Sequence, residues 1–313
     1  MAKYLFGVDI GGTTVKLGLF SENAELLDKW EITTRTTGGG KNILGDIAEA
    51  VADKMAEKQI NTEDVLGIGM GVPGPVKEDG TVLRCANLGW GVFNCAEELS
   101  KLTGFPVKAG NDANIAALGE MWQGGGKGYD NVVMVTLGTG VGGGIIIGGH
   151  MLYGTNGAGG EIGHITMNEA ETETCGCGRK GCLEQYTSAR GIVRLASNAI
   201  NNTDRPSSLR NVPYISAKEI FDAAKNGDDL AMELVEEHGR ILGRALSKIA
   251  CVVDPDIFVI GGGVSRAGTI ITDTTEKYFK EFAFHACKNT KFALAELGND
   301  AGIYGGAYLI LNS

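Results

Sequence analysis

The chain has 313 residues, 43% hydrophobic and 21% charged, which is enough to bury more than one core, so two domains are expected. A net charge of −10 disfavours a nucleic-acid partner, because phosphate binding needs a basic face, and no stretch approaches the ~20 apolar residues that cross a bilayer. The N-terminus shows no cleavage-site pattern, and an odd count of seven cysteines argues for thiol or metal use over a disulfide framework in a cytoplasmic protein.

Residues 3–20, KYLFGVDIGGTTVKLGLF, read as strand, tight glycine turn, strand, with β-branched and aromatic runs on either side of Gly11, Gly12 and Thr13. Helical spacing of apolar residues follows at 43–58, short apolar strands at 65–71 and 106–109, and a helix at 113–122. The run NVVMVTLGTGVGGGIIIGG at 131–149 repeats the opening plan, with Gly138, Thr139 and Gly140 standing 127 residues after Gly11, Gly12 and Thr13. The chain therefore reads as two related halves. Helices are expected at 189–201, 217–226 and 229–253, a buried strand at 257–260, and a small-residue helix at the C-terminus that returns to pack on the first half. The pattern is α/β. The boundary is placed near residue 113, giving a smaller domain of 1–113 joined by about 301–313 and a larger one of 114–300.

Several short motifs carry chemistry, each beside a plainer reading. Asp9 ends a strand and leads into Gly11, Gly12 and Thr13, whose open backbone N–H groups suit a polyphosphate while Asp9 organises Mg²⁺ through water; an ordinary hairpin turn has the same look. Gly138, Thr139 and Gly140 share that ambiguity. Gly261, Gly262 and Gly263 after the strand at 257–260 leave room for a flat ring or a phosphate, or for close packing on the next helix. Asn111 and Asp112 stand directly before a helix, where an N-cap is the common role and a general base the functional one, and the residues alone do not separate the two.

Glu161 and His164 lie on a glycine-flanked turn, His164 eleven residues before the first cysteine of CGCGRKGC. His164 with Cys175, Cys177 and Cys182 makes a Cys₃His set, the ligand number and chemistry of structural Zn²⁺, and the spacing does not fit a CxxC redox motif. Such a knot fixes a loop that carries Glu184 near Glu161 and His164, and carboxylates with an imidazole are groups that recognise sugar hydroxyls.

Together these motifs resemble the ROK family of sugar kinases (repressor, open reading frame, kinase), its bacterial ATP-dependent glucokinases in particular. VDIGGTTVKLGLF is similar to the family's first phosphate motif, LGTGVGGGIIIGG to its glycine-rich signature, GNDANIAALGE to its catalytic segment and CGCGRKGCLE to its zinc motif; GVPGPV and NLGW are also similar to it. The resemblance implies a two-domain actin-like fold, of the duplicated ribonuclease H-like type, with an interdomain cleft. It implies phosphoryl transfer from MgATP to the 6-hydroxyl of glucose, another hexose or hexosamine being the alternative. Asp112 would be the base and the N-cap of its helix in one residue, and Asn87, Asn111, Glu161, His164 and Glu184 would bind the sugar. Asp9, Gly11, Gly12, Thr13, Gly138, Thr139 and Gly140 would surround the ATP phosphates, with Gly261 to Gly263 near adenosine and a structural Zn²⁺ on the Cys₃His set. A homo-oligomer is expected, with no membrane or nucleic-acid partner. A DNA-binding repressor is disfavoured because the first strand begins by about residue 3.

Overall fold

The computed structural model describes residues 3–312. The strands, in chain order, are β1 (Tyr4–Ile10), β2 (Thr14–Ser21), β3 (Leu26–Thr33), β4 (Val65–Val72), β5 (Thr81–Val82), β6 (Phe93–Asn94), β7 (Val107–Asn111), β8 (Val132–Leu137), β9 (Val141–Ile147), β10 (His150–Met151), β11 (Ile257–Gly261) and β12 (Lys291–Leu294). The helices are α1 (Ile43–Lys58), α2 (Cys95–Thr103), α3 (Asp112–Gln123), α4 (Glu184–Thr187), α5 (Ala189–Asn202), α6 (Ala217–Lys225), α7 (Asp229–Val253), α8 (Thr269–Phe282) and α9 (Ala301–Leu311).

Two five-stranded sheets have matching orders, β3-β2-β1-β4-β7 and β10-β9-β8-β11-β12. In the first, β1 pairs antiparallel with β2 and parallel with β4, and β4 runs parallel to β7. In the second, β11 lies parallel to both β8 and β12. The duplication read from the two glycine turns thus extends to the strand order.

The chain divides into two compact units. One holds the chain up to Asp130, Gly144–Gly160 and the chain from Leu297 on; the other holds Asn131–Gly143 and Glu161–Glu296. The first unit runs past residue 113, where the sequence places the boundary, because α3 packs along α9 within it. Residues 144–160 join it too: Asn114 on α3 donates to the Gly159 carbonyl at 3.1 Å, and a methyl group on Gly144 would strike α3 at Ala117.

In the first unit, β1 buries both of its faces. Phe6 and Val8 join Leu17, Ile43, Ile47, Val51, Ile68, Met70 and Leu99 in one core, while Leu5 packs with Phe20, Ile303 and Ala307 on the other side. This is why residues 4–8 read as an unbroken apolar run. The second face closes so tightly that no β-carbon fits on Gly7 or Gly69, which lie against the backbone of α9 at Ile303 and Gly306. Asn94 caps α2 by accepting from the Glu97 N–H at 2.9 Å, and Gly104, in the left-handed region at φ 76°, ends it.

In the second unit, α7 is a 25-residue helix capped by Asp228, whose side chain accepts from the Ala231 N–H at 3.0 Å. Its His238 is fully buried, with Nε2 3.0 Å from the Thr187 carbonyl and the ring edge-on to Phe221 at 5.7 Å. Burial drives this imidazole from 6.5 down to about 4, the hydrogen bond to Thr187 opposing it only in part. Below pH 6.5 the unfolded chain takes up a proton here that the folded chain refuses until about pH 4. Stability from this site is therefore complete above pH 6.5 and falls by about 3 kcal/mol as the pH drops through that window. Urea unfolding at stepped pH measures it. His238→Gln is expected to flatten the dependence, and an unchanged slope in that variant would assign it to other groups.

Candidate functional site

The first unit carries one group of predicted residues at the carboxyl ends of its parallel strands. Asp9 pairs in register with Gly71 of β4, and Gly71 with Gly110 of β7, so Asp9 and Asp112 leave the sheet at the same edge. The Gly11–Thr13 turn between β1 and β2 is closed by the Gly11 N–H donating to the Thr14 carbonyl at 3.0 Å. It is braced by Thr34, whose hydroxyl donates to the Gly11 carbonyl at 2.7 Å. Gly12 and Thr13 are exposed, and nothing stands within 4 Å of where a Gly12 β-carbon would be. The turn is held at its base and open at its tip.

Asp9 is pushed up to about 6, chiefly by burial; Lys16 lowers it and Asp112 adds to the rise. A carboxylate so placed gains from a nearby cation. Lys16 lies opposite Asp9 in the β1–β2 register and donates to the Asn299 carbonyl at 3.0 Å. Gly302, in the first turn of α9, leaves no room for a β-carbon beside the Asp9 carboxylate.

Asn111, and not Asp112, is the N-cap of α3. Its side-chain oxygen accepts from the N–H groups of Ala113 at 3.0 Å and Asn114 at 3.2 Å, and its nitrogen donates to the Gly74 carbonyl at 3.0 Å. Asp112 is the first helical residue, half-buried, with Oδ1 accepting from the Ala113 N–H at 2.8 Å. The two roles read into Asp112 are thus divided between neighbours: asparagine satisfies the helix end, and the carboxylate stands at its positive pole. Asn87 is exposed on a tight loop closed by the Cys85–Trp90 bridge, which Trp90 anchors by donating to the Gly40 carbonyl at 3.0 Å.

The second unit carries the other group. Gly138, Thr139 and Gly140 form the β8–β9 turn, closed by the Gly138 N–H on the Gly140 carbonyl at 3.0 Å. Gly261 ends β11, and Gly262, at φ 85°, lies against the Leu137 backbone where a β-carbon would clash. Beside Gly263 is a cavity of about 440 Å³, lined also by Ala189, Ser216, Phe221, Val264 and Arg266. Nothing in the sequence singles out these lining residues: Ser216 shows only as the N-cap of α6, and Phe221 only as one apolar position among several on that helix.

His164, Cys175, Cys177 and Cys182 come together with their ligand atoms all within 4.8 Å of one another. Cys177 Sγ is 3.7 Å from Cys182 Sγ, and Cys175 Sγ is 3.8 Å from His164 Nδ1. Those separations exceed a disulfide of ~2.05 Å and match the edge of roughly 3.8 Å expected for a tetrahedron around zinc with ~2.3 Å Zn–S bonds. The donor set and its spacing fit Zn²⁺. Gly181, at φ 72°, permits the knot, since a β-carbon there would strike Asn168. The loop before the cysteines is tied down by Glu171, which accepts from Arg194 at 2.9 Å and from the Tyr186 hydroxyl at 2.6 Å. The Arg194 contact, aided by the tyrosine, holds Glu171 down at about 2.

With Nδ1 of His164 facing the cysteines, Nε2 points towards exposed Glu161, 3.8 Å from its Oε2. Glu184 heads α4, half-buried: Oε2 accepts from the Val141 N–H at 3.1 Å, and Oε1 lies 3.3 Å from Cys175 Sγ. Asp9, Asn87, Asn111, Asp112 and the Gly11–Thr13 turn therefore belong to one unit, and the Gly138–Gly140 turn, Glu161, His164, Glu184 and Gly261–Gly263 to the other. Among the described residues no helix is long and apolar enough to cross a membrane.

Residues 5–313 match the ROK family. The chain is 40% identical over 315 residues to a glucokinase of Halalkalibacterium halodurans, covering 98% of this chain and 95% of that one. It is 36% identical over 312 residues to a glucokinase of Thermotoga maritima, covering 98% and 96%. Among solved structures it is similar to a ROK family glucokinase from Streptomyces griseus in complex with glucose and AMPPNP, with a TM-score of 0.75, 34% identity and coverage of 99% and 100%.

Proposed function

Because this chain belongs to the ROK family and shares its two-domain actin-like α/β fold, we propose that it moves the γ-phosphoryl group of MgATP to the 6-hydroxyl of D-glucose, giving glucose 6-phosphate and ADP. The observation that carries the chemistry is Asp112 at the head of α3, a half-buried carboxylate at the positive end of a helix whose cap is supplied by its neighbour. Glucose as the sugar rests on the relatives that are glucokinases.

Phosphoryl transfer asks a protein mainly to align an oxygen with phosphorus and to neutralise charge. In this reading Asp112 accepts the proton of the 6-hydroxyl as attack proceeds, and the amide groups of the first helical turn keep the carboxylate ionised until then. Asn87, Asn111, Glu161, His164 and Glu184 hold the other hydroxyls. Asn111 has one N–H to offer, because the rest of its amide is committed to α3 and Gly74. His164 offers Nε2 while Nδ1 faces the cysteines.

The turns Gly11–Thr13 and Gly138–Gly140 present backbone N–H groups to the ATP phosphates, and Gly261–Gly263 with the adjoining cavity receive adenosine. Asp9 would hold Mg²⁺ through water, and that ion, when bound, supplies charge neutralisation on the phosphates. His164, Cys175, Cys177 and Cys182 would hold Zn²⁺, which supplies a cross-link in a loop with little core of its own. A homo-oligomer in the cytoplasm belongs to the same proposal, and solution mass measurement tests the assembly.

The experiment is ADP release with MgATP and single sugars: glucose, fructose, mannose, N-acetylglucosamine and N-acetylmannosamine. Glucose is expected to give the highest kcat/KM, by about tenfold or more, the scale of one well-placed hydroxyl contact. Another sugar in first place would keep the mechanism and change the substrate, whereas no stimulation by any sugar would sink the kinase reading.

A further inference from the structure

The Gly138–Gly140 turn contains two glycines, so left to itself it would sample many backbone states and lose that freedom on gripping a phosphate. In this structure it is held from one side by the segment 184–189. Glu184 Oε2 accepts from the Val141 N–H at 3.1 Å, just after the turn, and the Ala189 N–H donates to the Gly138 carbonyl at 2.8 Å, at its start. Gly140 presses on the same carboxylate so closely that a β-carbon there would collide with Glu184. The segment is itself anchored at both ends. Cys182 of the Cys₃His cluster precedes Glu184 by two residues, with Cys175 Sγ 3.3 Å from Oε1, and His238 of α7 grips the Thr187 carbonyl at 3.0 Å.

We propose that Glu184, besides meeting the sugar, is a positioning residue for the nucleotide: its carboxylate sets the Gly138–Val141 backbone in the shape that receives the phosphates, and so ties nucleotide affinity to the cysteine–histidine cluster. This role rests on the kinase reading above, but it makes a separate claim, because a residue that only binds sugar has no effect on ATP when sugar is absent. The hydrogen bond to Val141 needs an acceptor and not a charge. Glutamine at 184 can keep it; alanine cannot.

The test is binding of AMPPNP with Mg²⁺, by calorimetry and without any sugar, to the metal-loaded protein and its variants. Glu184→Ala is expected to weaken binding about 10-fold, the scale of one lost hydrogen bond, and Glu184→Gln to stay within about 2-fold of wild type. Gly140→Ala, which pushes the carboxylate from the other side, should weaken binding similarly. Far-UV circular dichroism and metal content of each variant separate a misfolded protein from a loosened turn. Equal AMPPNP binding by wild type, Glu184→Ala and Gly140→Ala would overturn the positioning role and leave the kinase reading intact. Failure of the wild type itself to bind the analogue would take both down.

Discussion

Asp112→Asn is expected to lower kcat with glucose by about 10³-fold while the KM values for glucose and ATP change by less than ~3-fold. The substitution keeps the shape of the side chain and its acceptor for the Ala113 N–H, so the first turn of α3 is undisturbed. It removes only the ability to take a proton, an interaction made as the hydroxyl attacks and not while it waits. Stability is expected to stay within about 0.5 kcal/mol of wild type, because the cap is Asn111. Asn111→Ala should show a different pattern: a loss of ~1 kcal/mol or more from the uncapped helix and the lost tether to Gly74, with KM for glucose rising as its amide contact is lost and kcat falling as the misplaced α3 drags Asp112 out of line. Steady-state kinetics beside urea unfolding for the two variants reads both effects. A kcat for Asp112→Asn within about tenfold of wild type would assign the base elsewhere.

Removal of the Zn²⁺ proposed for the cluster is expected to have the second large effect. Residues 165–183 contain one strand-like bridge between Thr166 and Cys182 and another between Thr174 and Lys180, and no regular helix or strand of their own. They are tied by backbone bonds such as the Met167 N–H on the Gly181 carbonyl at 2.7 Å, by the Glu171–Arg194–Tyr186 network and by the four-residue cluster. Structural zinc in small domains contributes ~10–16 kcal/mol at neutral pH, far more than that network can replace. Cys177→Ser, at an exposed ligand, and Cys182→Ser, at a buried one, are each expected to release the metal, lower the melting temperature and cut kcat/KM for glucose by about 100-fold or more. Cys251→Ser, at an exposed cysteine on α7, should change nothing. One equivalent of zinc released per chain on chelation, read by a metallochromic dye, would confirm the stoichiometry. Wild-type kinetics in Cys182→Ser would mean that the cluster carries no functional metal.

Much of the fold is legible in the residues alone. The helices at 43–58 and 229–253 stand at their expected limits because apolar residues recur on one face for four turns or more. The glycine turns are legible because both interrupt apolar runs at matching places, and the matching sheet orders are the structural form of that repeat. The helix α8 is harder to see: Thr269–Phe282 holds four threonines and has no side-chain cap, so its sequence carries the marks of a strand or loop. Strand β3 alternates half-buried and exposed positions with charges at Asp28, Lys29 and Glu31, as suits a sheet edge, and that weakens the apolar signal.

Within the site, residue types are legible and their division of labour is not. Asn111 and Asp112 are both good caps in isolation, and only the backbone direction at residue 111, φ −60° and ψ 142°, decides which one caps. Glu184 is legible as a carboxylate after the last cysteine of its motif, but its bond to Val141 joins residues 43 apart, and no local pattern announces it. The unit boundary escapes for the same reason, since α3 is assigned by α9, which lies at the far end of the chain.

The docking of α9 also bears on how the protein comes into being. Gly7 and Gly69 lie bare against Ile303 and Gly306, so one face of β1 and β4 has no cover until the last helix exists. A ribosome adding ~5–20 residues per second needs on the order of 10–40 s to travel from the end of α3 to α9. Throughout that interval Leu5 and Phe20 stand on a sheet face awaiting its covering helix, while every residue of the second unit has already emerged ahead of it. The order of synthesis thus inverts the order of the chain: the unit begun first is the unit finished last, and its half-made sheet is the form most in need of a chaperone's protection.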